Sequence, residues 1–187
     1  VYNFDTTFRT DASQFDILTD EDTTLTLGDI SISVMHVPGH TPADMAYVAT
    51  DDEKSAVFVG DTRFAPDVGT ARCDFPGGDA KTLYQSIQKL LSLSDDTVMY
   101  LCHDYPNKGR QHCPSTTVGA QKLNNIHVKD GINEAEFVEM RERRDANLEM
   151  PRLIIPAVQV NIDAGHFPKP DDNGTRYLKV PINVLGE

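Results

Sequence analysis

Three side chains able to bind a metal follow apolar, strand-like runs in this chain of 187 residues. His40 comes after the run at 30–37, Asp61 after 56–59 and His103 after 98–102. In an α/β sheet such strand ends converge on one rim, where ligands bind. Imidazole and carboxylate placed there suit a transition metal such as zinc or iron. Any one of the three alone is more often structural, because an Asp after Gly commonly serves a turn; the joint pattern is the more specific signal. His36 stands four residues before His40, but Pro38 and Gly39 exclude the helix on which an i, i+4 histidine pair binds zinc. His36 is therefore expected in ordinary packing, as are His112, His127 and His166 in polar loops or at segment ends.

The elements that must carry these residues are legible as changes of period. Leu25 and Leu27 alternate with threonines, Gly28-Asp29 makes a turn, and Ile30, Ile32 and Val34 alternate again, which predicts a hairpin. Residues 45–49 and 56–59 read as further strands, the second continuously apolar and central. Residues 62–78, with two prolines, three glycines and no period, read as a long loop of the kind that is usually functional. Asp79 caps a predicted helix with Leu83, Ile87, Leu90 and Leu91 on one face, ending near Ser94. A buried strand at 98–102 breaks at His103. Beyond it, helices are expected over 116–125 and from the Asn133/Glu136 capping pair to about Leu148, then an extended or loop segment over 151–161 and a turn at 171–174.

Composition limits the partners. Twenty-nine acidic residues against 17 basic give a formal charge of -12, a field that repels phosphate backbones and anionic lipid, so neither nucleic acid nor a membrane surface is expected as partner. At 39% hydrophobic and 25% charged residues, the chain falls in the globular class. Three cysteines without a CxxC support neither a disulfide framework nor a zinc ribbon and suit a reducing cytoplasm. Cys73, next to Arg72 in the long loop, reads either as a reactive thiol or as a small packed side chain.

Four motifs in order, His40-Thr41-Pro42-Ala43-Asp44, Val59-Gly60-Asp61-Thr62, the Gly69-Thr70-Ala71-Arg72-Cys73-Asp74-Phe75-Pro76-Gly77-Gly78 run and Cys102-His103-Asp104-Tyr105, resemble the metallo-β-lactamase fold superfamily. Within it they look like the persulfide dioxygenase (sulfur dioxygenase, β-lactamase-like hydrolase) branch, over about residues 15–183. The resemblance implies the α/β class, α+β by some schemes, and a four-layer αββα sandwich. Residues 1–187 would form one such domain, incomplete at its amino terminus, supplying mainly the carboxy-terminal half and a helical tail. It further implies one Fe(II) per chain held by two histidines and one aspartate, with glutathione persulfide oxidised by O2 to sulfite and glutathione.

Carried across by position, His40 matches the second metal histidine and Asp61 the metal aspartate. His103 matches the second-metal histidine of dinuclear relatives, which stays off the iron in the dioxygenases. Arg72 and Tyr105 match substrate-binding positions; Tyr105, Asp104 and Asp74 are the catalytic or orienting groups, the two aspartates steadying Arg72 or a metal histidine. For Arg72 the competing reading is an internal ion pair with Asp74 or Asp104. The superfamily's HxHxDH cluster is absent from the sequence, which leaves the first histidine unassigned. A carboxy-terminal piece of a longer protein is the expectation; a partner half on a separate chain and an inert truncated product are the other readings. Two alternatives for function stay open: a dinuclear zinc hydrolase of glyoxalase II type acting on glutathione thioesters, and a metal-free half-domain with a binding or assembly role. The oligomeric state is open as well, a homodimer being one option.

Overall fold

The structure, a computed structural model, describes residues 11–51, 53–107 and 109–180. They fall into two compact units, one over 19–147 and one formed by 148–180 with 11–18. The first unit holds a six-stranded mixed sheet whose strands lie in chain order: β1 (Thr24–Leu27), β2 (Ile30–His36), β3 (Met45–Thr50), β4 (Ser55–Phe58), β5 (Val98–Tyr100) and β6 (Ser115–Thr117). All neighbours are antiparallel except β4 and β5. That parallel pair needs a crossover, and helix α1 (Ala80–Leu91) supplies it. Because β2, β4 and β5 consequently run in one direction, their carboxy-terminal ends share a rim.

Period-two alternation sorts the sheet into two faces. Ala46, Val48, Val57 and Met99 are buried in one core with Leu83, Ile87 and Leu90 of α1 and with Val118 and Phe137 of later helices. The other face carries the next residue along, and there Phe58 and Tyr100 stack at 5.1 Å while remaining 48% and 43% exposed. Among the described residues there is one sheet, and this apolar second face is of the kind on which a sandwich packs another. No helix among them is long and apolar enough to cross a membrane.

The hairpin, the central strands and the Asp79 cap, which accepts the Thr82 N–H at 2.7 Å, follow the sequence pattern. So does α3 (Glu134–Asp145), opened by a reciprocal capping box between Asn133 and Glu136. Two expectations fail. The segment expected to be helical from 116 begins as β6, and only then does Thr117 cap α2 (Val118–Asn124) by accepting the Ala120 N–H at 3.1 Å. The segment read as extended over 151–161 contains α4 (Ile154–Asn161) in the second unit. Pro156 is tolerated there because it is the third helical residue, where no intrahelical acceptor awaits an N–H. In that unit Gln159 is buried and exchanges two 2.8 Å bonds with the Lys179 backbone.

The long loop at 62–78 is also not the open excursion its composition suggests. Thr62, Arg63, Ala65, Thr70, Ala71 and Cys73 are buried, and Gln121 and Asn125 bond its backbone at Phe64 O (2.8 Å) and Gly69 O (3.1 Å). Gly69 sits at φ +103 with His127 so close that a Cβ would lie 2.1 Å from its Nδ1; only glycine fits. Against the expectation for a loop histidine, His127 is buried, its Nδ1 accepting the Thr70 N–H at 3.0 Å. Burial and neighbouring arginines lower its pKa to about 4.

Arg63 is fully buried, donates to Gln121 Oε1 at 2.8 Å, and leaves its Nε and one terminal nitrogen without an acceptor among the described residues. Desolvation drops its pKa to about 9. A buried cation without a carboxylate is destabilising, so Arg63→Met is expected to raise the urea midpoint, by about 1–4 kcal/mol of stability; a lower midpoint would contradict this.

His127 gives a pH dependence. Between its folded pKa near 4 and the unfolded value near 6.5, only the unfolded chain binds the proton. Stability is therefore full above the higher value and declines as pH falls, by about 3 kcal/mol once pH is below the lower value. Urea melts across that range should show the slope, flattened in His127→Gln.

Candidate metal centre

His40 lies four residues beyond the end of β2, in a tight connection to β3. The Val37 N–H donates to Asp44 O at 2.9 Å, and Thr41 is tied to the Asp44 carboxylate through its N–H (3.0 Å) and hydroxyl (2.6 Å). Gly39, at φ +134, packs directly on the backbone of Leu83, where a Cβ would approach to 2.4 Å. The connection is thereby pressed against the start of α1. His40 donates its Nδ1–H to Arg72 O at 2.7 Å, which fixes the tautomer and leaves Nε2 as a lone-pair donor. Its ring rests 5.1 Å from that of Phe75.

Asp61 follows β4 by way of Val59, whose N–H donates to Tyr100 O of the parallel neighbour at 3.3 Å. His40 Nε2 is 3.7 Å from Asp61 Oδ2, and His103 Nε2 is 3.2 Å from Oδ1. Oδ1 is enclosed yet accepts no hydrogen bond among the described residues. Two imidazoles converging on a carboxylate that has an orphaned oxygen form a donor set that fits a transition-metal ion. Cys102 joins on one side: donor atoms of Asp61, Cys102 and His103 all lie within 4.8 Å of one another. Burial and then the Asp61 charge push the Cys102 thiol and the Tyr105 phenol up, so Tyr105 keeps its proton at neutral pH.

The other residues singled out by sequence take distinct places. Tyr105 is exposed at the same rim, its ring 6.0 Å from His103 and edge-on to Phe64 at 5.5 Å. Arg72 Nε donates to Asp74 Oδ1 at 2.5 Å, a second nitrogen donates to Oδ2, and the guanidinium lies 4.9 Å above the Phe75 ring. Arg72 thus has the internal ion pair weighed for it, with Asp74 as the partner. Asp104 instead binds Arg110 at 2.5 and 2.9 Å and accepts the Cys113 N–H at 2.7 Å. Arg110 and this N–H hold its pKa near 2. Its bonds to described residues are thus to neither Arg72 nor a metal histidine. His36 donates to Pro42 O at 2.9 Å, the packing role expected. Cys73 is buried, and desolvation with the Asp145 charge raises its pKa to about 12, so the reactive-thiol reading gives way to the packed one.

Sequence reasoning passed over Arg110 and the Arg141–Asp145 pair. Arg110 also binds Asp67 at 2.7 Å, joining the loop after β5 to the long loop. Arg141 donates from Nε to Asp145 at 2.9 Å, both being at most 5% exposed, and Asp145 accepts the Cys73 N–H at 2.8 Å. An i, i+4 Arg/Asp spacing on α3 was the available signal, but burial of the pair was not readable.

A model of the metallo-β-lactamase superfamily matches residues 5–103. The chain belongs to that superfamily. Its members bind zinc or iron, in keeping with the donor set at the rim. The chain is 52% identical, over 99% of its length, to a probable metallo-hydrolase of Burkholderia pseudomallei. It is 49% identical over 99% to glyoxylase B2 of Dictyostelium discoideum. It spans 65% and 62% of these relatives' lengths. Among solved structures it resembles ETHE1 from Myxococcus xanthus, with a TM-score of 0.71 and 33% identity, covering 83% of this chain and 63% of that one.

The segment that carries Arg72 O, the acceptor for His40, is held from behind by Asp145. Asp145→Ala would leave Arg141 buried and unpaired, at a cost of about 3–5 kcal/mol. A thermal melt should show this large loss, whereas a change below about 1 kcal/mol would mean that the pair is not buried as described.

Proposed function

We propose that the chain is part of a mononuclear, non-haem Fe(II) persulfide dioxygenase that oxidises glutathione persulfide with O2 to sulfite and glutathione. The observation that carries the reading is the approach of the backbone-oriented His40 Nε2 to the part-orphaned carboxylate of Asp61. The structural likeness to ETHE1 and the motif resemblance to the persulfide dioxygenase branch support it. His40 Nε2 and Asp61 would hold the iron, which when bound supplies activation of O2 beside a sulfur donor.

The chain's own residues then do the positioning. The Arg72 carbonyl orients His40, and Asp74 holds the Arg72 guanidinium against Phe75. To serve a carboxylate of the glutathione moiety, which the net charge of -12 does not favour, Arg72 would have to share its guanidinium with Asp74. Tyr105 contributes an O–H donor at the open side of the site. The sequence has no HxH pair, and the apolar second face of the sheet is exposed at Phe58 and Tyr100. Both support completion of the domain, and of the ligand set, by polypeptide beyond these residues.

His103 favours a second reading. At 3.2 Å from Asp61, it would let the carboxylate bridge two ions, as in a dinuclear zinc hydrolase of glutathione thioesters, a reading that the glyoxylase B2 relationship also supports. Metal analysis of the full protein with O2 uptake separates the two. One iron per chain, O2 consumption with glutathione persulfide and loss of both in His40→Ala and Asp61→Ala are expected; two zincs with thioester cleavage would replace this reading by the hydrolase.

A further inference from the structure

We infer that Arg110 is a positioning residue for Tyr105: by clamping Asp104 to the long loop it holds the phenol at the open side of the metal centre. The inference rests on the proposed function for what Tyr105 does toward substrate, and adds a residue that the reading does not use. Between β5 and β6 the chain makes an excursion, closed at its base by the Leu101 N–H donating to Pro114 O at 2.9 Å. Within it His103 and Tyr105 are exposed, while the side chain of Asp104 between them is only 7% exposed. An inward carboxylate flanked by two outward rings makes Asp104 the anchor of this segment.

Arg110 satisfies that carboxylate and ties it across to a second loop. Its Nη1 and Nη2 donate to Asp104 at 2.9 and 2.5 Å, Nη1 also to Gln111 O at 3.0 Å, and Nε to Asp67 Oδ2 at 2.7 Å. Asp67 stands in a turn closed by the Val68 and Gly69 N–H groups, which donate to Ala65 O at 2.8 and 3.0 Å. Phe64, just before this turn, meets Tyr105 edge-on at 5.5 Å, and its own carbonyl accepts from Gln121 at 2.8 Å. The two loops therefore meet twice, at Arg110–Asp67 and at Tyr105–Phe64. A guanidinium is needed, because its fixed fork serves two carboxylates and a carbonyl at once, whereas an ammonium is a single point on a flexible stem. Without Arg110, the Cys113 N–H at 2.7 Å is the hydrogen bond left to Asp104 among the described residues, and Tyr105 is released from Phe64.

Fluorine NMR of the full protein labelled with 3-fluorotyrosine reads the position of Tyr105 without reference to activity, its resonance being assigned by its loss in Tyr105→Phe. That resonance should shift toward the value of a solvated tyrosine in both Arg110→Ala and Arg110→Lys. The resonance of Tyr84, whose hydroxyl donates to Ile132 O at 3.0 Å, should stay in place and so report an intact fold. Calorimetric titration with S-methylglutathione supplies the second measurement. Affinity should fall about five- to tenfold in Arg110→Ala, the worth of one hydrogen bond, and as far in Arg110→Lys, which keeps the charge but not the fork. In a Tyr105→Phe background Arg110→Ala should cost nothing more. An unmoved Tyr105 resonance, full affinity in Arg110→Lys, or losses that add in the double variant would overturn the positioning role. If the resonance moves as expected but the unaltered protein does not bind S-methylglutathione, the positioning role stands and the glutathione reading falls.

Discussion

The parallel pairing of β4 with β5 is the constraint on which the rim depends. With β2 antiparallel to β3, and β3 to β4, three strands end at one edge. Without the α1 crossover β5 would return antiparallel and deliver His103 to the opposite end. The energetic basis is the apolar layer between α1 and the sheet, where Leu83, Ile87, Leu90, Val57 and Met99 are fully buried. The core thus fixes a distance between groups that are far apart in sequence and themselves partly exposed.

At that rim the group that orients His40 is a backbone carbonyl rather than another charge. The segment bearing this carbonyl is tied to Asp145 through the neighbouring Cys73 N–H, and the turn after His40 is closed by Asp44. A ligand held this way keeps its orientation through changes in pH that would protonate an orienting carboxylate. The arrangement also explains the packed long loop. Its inner residues Thr70 and Cys73 bond to His127 and Asp145, so the loop supports the site and is part of the hydrophobic interior at Ala65 and Ala71.

Much of this was legible in the sequence where one physical rule acted alone. Alternation gave the hairpin, Asp79 and the Asn133/Glu136 pair gave two helix starts, and strand ends singled out the three residues that the structure brings together at Asp61. The rest depended on competition between rules or on tertiary burial. Thr116 and Thr117 belong to a strand and yet the second caps a helix; the β-branched residues and Pro156 of α4 argued against the helix they form. Arg63 and Arg141 are charged residues inside the fold; the i, i+4 spacing to Asp145 could mark Arg141 as paired, but nothing in the neighbours of either marks it as buried. Membership of the superfamily likewise rested on four short motifs, while the ligand that completes a triad lies in none of them.

The central claim is that His40 and Asp61 share a metal ion. Anomalous diffraction from crystals of the full protein, recorded across the iron and zinc edges, tests it most directly. The expected result is an anomalous peak within about 2.0–2.3 Å of His40 Nε2 and an Asp61 carboxylate oxygen. Density showing Asp61 hydrogen-bonded between the two imidazoles, with anomalous signal absent from the rim or found elsewhere, would contradict it.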